Sequence, residues 1–421
     1  VSKKISPHVL LVAYDCAPNK GSASLIGWQW YSRLAKRVPV TLVTHIRNQK
    51  DLFQAGAPVK SSQLIFIDTE WFAKPLCHLA EKLFPHSDHA QMLLCSPDFY
   101  LYDFITIHRL KQALKNGAHW DIIHLVTPLS PVTATRLHVL KRPVILGPWN
   151  GGLKTPTEFP EIMREDSSWL YSIRRLGYLI DFCVGTTRRA ATIFTATQAT
   201  WQSIPTHSRT RCQFMLENGV DLTIFQAKPW PQPPSLTNPL HLIFVGRLQA
   251  FKGLPMLLTA IAQLKKQIPL QLTVIGDGSL REKWQQHAHQ LQIAQLITWH
   301  TTMKQTEVAA KIQAAHVLCL PSVRESGGAV LLEAMACARP VLTINYGGPA
   351  EIVDEEIGRA ISPVGGAPAV IAGLIEGLHD IFKNPAQWRR RGQEGRRRAE
   401  LFYDWDIKIE RALALYQKLL K

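Results

Sequence analysis

Cysteine is scarce and scattered. The seven residues include no C-x-x-C pair, which argues for free thiols in a reducing cytosol and against a zinc site. Long apolar runs are missing as well: none approaches the roughly 18 residues that a bilayer span requires. The run 8–14 is too short for a signal-peptide core and is followed by Asp15, where a small-residue cleavage site would stand. It reads as a first strand. Acidic residues are under-represented, 32 against 48 Lys and Arg, giving a formal net charge of +16. That balance calls for an anionic partner: a nucleotide diphosphate, an acidic lipid surface or nucleic acid. The dinucleotide fingerprint is absent too, since Gly21 has no glycine two residues later and no acid ends the segment 40–44. A nicotinamide enzyme is therefore disfavoured.

What is present is an alternation of apolar runs and amphipathic stretches over 421 residues, enough for two domains of about 200 residues each. In the first half, strands are expected at 9–14, 40–44, 64–68, 121–126, 143–147, 192–197 and 213–216. The second half repeats the pattern at 241–245, 271–275, 296–299, 316–320 and 341–344. Between them the segment K-P-W-P-Q-P-P-S-L-T-N-P is proline-rich and poor in apolar residues, as a linker should be. The expected boundaries are 1–216, a linker at 217–240, 241–400, and a final helix at 401–421. The region 71–117 is helical, and its stripe of Trp71, Leu76, Leu79, Leu83 and Phe84 beside Lys74 and Lys82 suits core packing or a bilayer surface. The run His86-Ser87-Asp88-His89 reads as a solvated loop, because no further ligand pair accompanies it.

The chemistry concentrates at 321–345. Pro321 closes an apolar run, Gly327 and Gly328 loosen the backbone, and a helix follows. Glu325 lies in the loop and Glu333 in the first turns of that helix, so both can face a ligand at the positive end of the helix dipole. As isolated residues they would be a solvated loop glutamate and an ordinary helical one. Beside Ser326, the backbone N–H groups of Gly327, Gly328, Ala329 and Val330 can hold phosphate oxygens, while the carboxylates accept from hydroxyls. Sugar and phosphate together mean a nucleotide sugar. Directly after the strand 241–245 comes G-R-L-Q-A-F-K-G, in which Arg247 can fork onto two phosphate oxygens and Lys252 adds a point charge. In the first half, the loop around Gly21 joins a strand to a helix and presents N–H groups in the same way. His124, within a strand, reads either as a ligand contact or as a satisfied core histidine.

The stretch P-S-V-R-E-S-G-G-A-V-L-L-E-A-M-A closely resembles the signature P-S-x-x-E-x-x-G-x-x-x-x-E-A-M-A of retaining glycosyltransferase family 4. Further landmarks fall in the family's order. They are the loop with Gly21, Ser22, Gly27, Trp28 and Trp30, the segment G-P-W-N-G-G-L, N-G-V-D with Phe225, G-R-x-x-x-x-K-G, V-I-G-D-G-S, and Gly347-Gly348 with Glu351. Three positions depart from pattern: Ala23 replaces an acid, Asn150 stands where many members carry histidine, and Thr301 replaces a glycine.

The resemblance implies the α/β GT-B fold: two Rossmann-like domains facing across a cleft, with the last helix returning to the N-terminal domain. It implies a retaining, metal-independent transfer of sugar from a UDP-, GDP- or ADP-sugar to an acceptor hydroxyl, with no cofactor. Carried over by residue, Glu325 holds donor-sugar hydroxyls, Glu333 the ribose, and Arg247 and Lys252 the diphosphate. Met303 lies by the base, with Asn150 and His124 on the acceptor side. The acceptor would be a glycan, a lipid-linked sugar or a small molecule, and the location the cytoplasm or the inner face of the membrane, with no nucleic acid as partner. The rivals are a catalytically silent relative and a basic lipid- or nucleic-acid-binding protein. Asp404-Trp405-Asp406 has the spelling of a metal-holding D-x-D but reads as a helix cap.

Overall fold

The structure, a computed structural model, describes residues 6–18, 20–57, 63–84, 88–165 and 176–421. Asn19, His86 and Ser87 lie outside the described residues, and the side chains of Asp88 and His89 are likewise not described.

The chain divides into two compact units. The first comprises Val1–Gly152, Trp169–Glu217 and Asp406–Lys421. Its seven-stranded sheet runs in the order β3-β2-β1-β4-β5-β6-β7, with β1 Val9–Ala13, β2 Val40–His45, β3 Leu64–Ile67, β4 Ile122–Thr127, β5 Val144–Trp149, β6 Thr192–Thr195 and β7 Cys212–Phe214. Every pair is parallel. The residues of β1, β2, β4, β5 and β6 are all buried. This is why these strands read as continuous apolar runs: both faces of a parallel sheet are covered, so no polar face alternates with the apolar one. The helix Trp405–Leu419 closes the unit, its Tyr416 fully buried against His124.

The second unit comprises Leu153–Ser168 and Asn218–Trp405. Its six parallel strands run β10-β9-β8-β11-β12-β13, with β8 Leu240–Val245, β9 Leu270–Ile275, β10 Ile297–His300, β11 Val317–Leu320, β12 Val341–Ile344 and β13 Gly358–Ile361. The last strand is not legible in the sequence, since four residues that include Gly358 and Arg359 form no apolar run.

Several expectations need correction. Residues 153–165 belong to the second unit although they precede the expected boundary at 216. The segment 217–240 is not a free connector. Arg339, fully buried, donates to the carbonyls of Lys228 and Pro229 at 3.0 and 2.9 Å, while Trp230 Nε1 donates to His316 O at 2.9 Å. His316 Nε2 meets Gln232 O at 2.8 Å. Low apolar content suggested a solvated linker, but its carbonyls are satisfied by side chains of the second unit instead of water.

The helix Glu70–Leu83 leaves Trp71, Leu79 and Leu83 exposed and buries Ala73 and Ala80, so the apolar stripe is not core. No helix among the described residues is long and apolar enough to cross a membrane. The arginine-rich helix Pro385–Arg398 is knitted into ion pairs. Arg398 reaches Asp354 at 2.7 Å and Glu394 at 3.1 Å, and Arg396 reaches Glu400 at 2.6 Å.

Candidate functional site

β8 and β11 are neighbours, pairing Leu242 with Val317, so the turns after them leave the same edge of the sheet side by side. The first turn, 246–253, winds through a single 3-10 turn at Ala250–Lys252. The second, 321–328, interlocks with it. Val323 N–H donates to Phe251 O at 2.8 Å, Ser322 Oγ donates to the same oxygen at 3.1 Å, and Gly253, at φ 67°, lies where a Cβ would fall 2.0 Å from Pro321 O. No other residue fits there.

The interlock sets two expected side chains together: Lys252 Nζ donates to the Glu325 carboxylate, both groups being largely buried. At an effective dielectric of 20 such a pair carries about 4 kcal/mol of Coulomb energy before desolvation. Two residues missed by sequence reasoning hold it in place. The Phe251 ring lies 4.6 Å from the Arg324 guanidinium and 5.6 Å from Lys252 Nζ, and Arg324 donates to Thr155 Oγ1 at 3.3 Å. Both occupy variable positions of their motifs, and no periodicity marks them. Glu325 is also fixed through its backbone, its carbonyl accepting from Gly348 N–H at 3.0 Å. Gly348 approaches the loop so closely that a Cβ there would fall 1.3 Å from Ser326 O.

The helix Ala329–Ala336 begins behind Gly328 (φ 45°) with no side-chain cap, leaving first-turn N–H groups for a ligand. Ser326 Oγ is buried and has no hydrogen-bond partner among the described residues. Glu333 is the fifth residue of the helix and half-buried. Burial pushes its carboxyl up to about 7. Arg247, exposed at the start of its turn, follows Gly246, whose Cβ position lies 3.8 Å from Lys252 Cδ.

The glycine turn after β9 is tied to the same edge: Leu248 N–H donates to Asp277 O at 2.9 Å. Arg281 joins that turn to β10 by donating to the carbonyls of Gly276 and His300 at 2.8 and 3.1 Å. Met303 is half-buried in the loop that follows β10. Arg247, Lys252, Met303, Ser326–Val330, Glu325 and Glu333 thus all belong to the second unit, on loops and a helix at one sheet edge.

Gly21, Asn150 and His124 belong to the first unit. Gly21 is exposed and precedes the helix Ser22–Leu34, which has no side-chain cap. Asn150 donates from Nδ2 to Glu217 Oε1 at 3.0 Å. His124 is fully buried, with Nδ1 2.6 Å from Tyr416 Oη and Nε2 2.7 Å from Gly147 O. Burial pushes its imidazole down to about 4. Both ring nitrogens are occupied, which favours the satisfied core histidine over the ligand contact among the readings open for His124, including its place as a catalytic or acceptor-side candidate. Asp406, of the D-x-D spelling, pairs with Arg37 at 3.0 Å. Among the described residues, no three His, Cys, Asp or Glu side chains cluster as metal ligands would.

Comparison with known proteins bears on this geometry. Among solved structures the chain is similar to sucrose-phosphate synthase from Thermosynechococcus elongatus (TM-score 0.67, 17% identity, 98% of this chain and 99% of that one). It is also similar to Anabaena HepE, solved in complex with UDP and glucose (TM-score 0.64, 14% identity, 98% and 100%). Two parallel α/β sheets with this likeness define the GT-B fold. In sequence, the chain is 30% identical over 196 residues to a glycogen synthase of Mycobacterium tuberculosis, 45% of each. It is 33% identical over 185 residues to a D-inositol 3-phosphate glycosyltransferase of Streptomyces avermitilis, 41% of this chain and 39% of that one. The chain thus spans less than half the length of these curated relatives. Residues 229–395 match the family model of glycosyl transferases group 1.

Proposed function

We propose that this protein transfers a sugar from a nucleotide-diphosphate sugar to an acceptor hydroxyl with retention of anomeric configuration. The observation that carries the reading is the Lys252–Glu325 contact beside an uncapped helix. It puts a cation for phosphate and an acid for hydroxyls at one point of one sheet edge. Arg247, Lys252 and the first-turn N–H groups of Ala329–Ala336 hold the diphosphate, Glu325 accepts from the donor-sugar hydroxyls, and Glu333 accepts from the ribose. Positive charge preorganised at the leaving diphosphate stabilises it as the bond breaks, without need of a metal.

In the transfer, the bond from the anomeric carbon to phosphate oxygen breaks and a bond to the acceptor oxygen forms on the same face. The acceptor's proton passes to the departing phosphate oxygen, so nucleoside diphosphate and glycoside are the products. The proposed division of labour follows the two units, with the donor on the second and the acceptor on the first. HepE was solved with UDP-glucose, which makes UDP-glucose the first donor to assay.

The test is release of UDP from UDP-glucose, with and without a panel of acceptors, by wild type and Glu325→Ala in chelator. Wild-type turnover lost in the variant supports the reading. Turnover that needs added manganese, or that survives in Glu325→Ala, contradicts it. A second reading, docking of the first unit on an acidic bilayer, is favoured by exposed Trp71, Leu79 and Leu83 beside Lys74 and Lys82. Co-sedimentation with acidic but not neutral vesicles tests it.

A further inference from the structure

The second unit holds a cavity of about 640 Å³ away from the donor side chains, within the range that small-molecule sites occupy. Four elements of that unit build it: the segment 158–162, the start of the helix Leu254–Leu264, one face of Arg281–Gln290, and the start of Gly366–Lys383. None of Arg247, Lys252, Glu325 or Glu333 lines it.

Its floor is apolar. Phe159, Met256 and Trp284 line it and are each almost fully buried, and half-buried Ile162 and Ile371 add to the apolar lining. The rim is polar and carries both signs of charge, with Glu158 and Glu161 on one element against Lys283 on another, where His287 also stands. Two exposed amides, Gln286 and Gln290, stand one helical turn apart and each offers both a donor and an acceptor. A rim carrying both signs sets a like charge as well as an opposite one against any strongly charged ligand, amides pair with neutral hydroxyls, and an apolar floor gains by covering hydrocarbon.

We propose that this cavity is a second ligand site that takes an uncharged amphiphile, an apolar body with a hydroxylated head, the chemistry of an alkyl or aryl glycoside. Its occupancy is linked to the donor site. Ala250 and Gly253 line the cavity and bracket Phe251 and Lys252, so a body pressed against them acts on the turn that carries the phosphate-binding lysine. This link rests on the donor reading above, whereas the binding itself does not. By reciprocity, the donor changes affinity for the amphiphile by the same factor.

The experiment is calorimetric titration of the full chain with octyl β-glucoside, kept below its micelle concentration, with and without UDP. Glucose alone and octyl sulfate serve as comparators. One binding event is expected, weakened about tenfold or more in Q286A/Q290A, whose exposed amides carry no packing, and abolished when Ile371→Trp fills the cavity. UDP is expected to shift the affinity at least threefold. Absence of binding, equal binding by the amide double variant, or equal affinity for glucose alone or octyl sulfate would overturn the site. Unchanged affinity with UDP bound would overturn the link. Failure of UDP to bind while octyl glucoside still does would refute the donor reading and leave the cavity assignment standing.

Discussion

Glu333 offers a direct thermodynamic handle on the proposed donor site. Its carboxyl is raised from 4.5 to about 7 by burial, yet its proposed task, accepting from ribose hydroxyls, calls for the ionised form. Donor binding must therefore expel a proton wherever the free protein holds one. With a free-state value near 7, about a tenth of the molecules are ionised at pH 6 and about nine-tenths at pH 8, so affinity for UDP should be about tenfold weaker at pH 6. Glu333→Gln removes the titration. Its affinity should be level across that range and weaker than wild type at pH 8 by the worth of charge-assisted hydrogen bonds, about 1.5–3 kcal/mol.

Folding gives an independent check with the opposite dependence. Between pH 4.5 and 7 the unfolded chain has released this proton and the folded one retains it, so stability falls as pH rises through that window, by up to about 3 kcal/mol. Glu333→Gln should lose that slope. Titration calorimetry in buffers of different ionisation enthalpy counts the protons directly. A wild-type affinity that is level from pH 6 to 8, or a slope that persists in the glutamine variant, would refute the role.

Phe251→Leu removes the ring between Arg324 and Lys252, and should raise the donor KM about fivefold, near 1 kcal/mol, while leaving kcat within a factor of two in steady-state assays. Gly348→Ala drives a methyl into the Ser326 carbonyl. Displacement of the Glu325 loop should abolish donor binding and cost about 1–3 kcal/mol in urea unfolding. His124→Ala leaves Tyr416 Oη and the Gly147 carbonyl unpaired in the core and should cost about 2–4 kcal/mol, with UDP affinity unchanged. Because burial holds this imidazole near 4, the stability it supports is present above pH 6.5 and lost as pH falls toward 4. Acid unfolding followed by circular dichroism should show that loss blunted in the variant.

Much of the fold was legible because parallel strands buried on both faces write themselves as unbroken apolar runs. β13 escaped for the converse reason: Gly358–Ile361 pairs only with β12 at the sheet edge, and its Gly and Arg give no run to see. The candidate site was readable where residue type itself suggests a chemistry, at Lys252, Glu325 and the glycines of 327–328, which the fold brings to one sheet edge. It was unreadable where tertiary contact does the selecting, at Phe251 and Arg324, whose partners lie about 73 residues away in sequence. His124 shows the limit from the other side. A histidine at a strand centre looks the same in sequence whether it faces a ligand or Tyr416, 292 residues further on. The proline-rich segment after Phe225 misled because composition speaks for solvation, while Arg339 and His316, far along the chain, supply its hydrogen bonds.

The most direct measurement of the central claim is calorimetric binding of UDP-glucose, GDP-mannose and ADP-glucose to the full chain and to Lys252→Ala. Binding of at least one nucleotide sugar to the wild type, weakened more than about tenfold by loss of this one charge, is the expected result. A chain that binds none of the three, or a Lys252→Ala variant that binds as tightly as the wild type, would contradict the account.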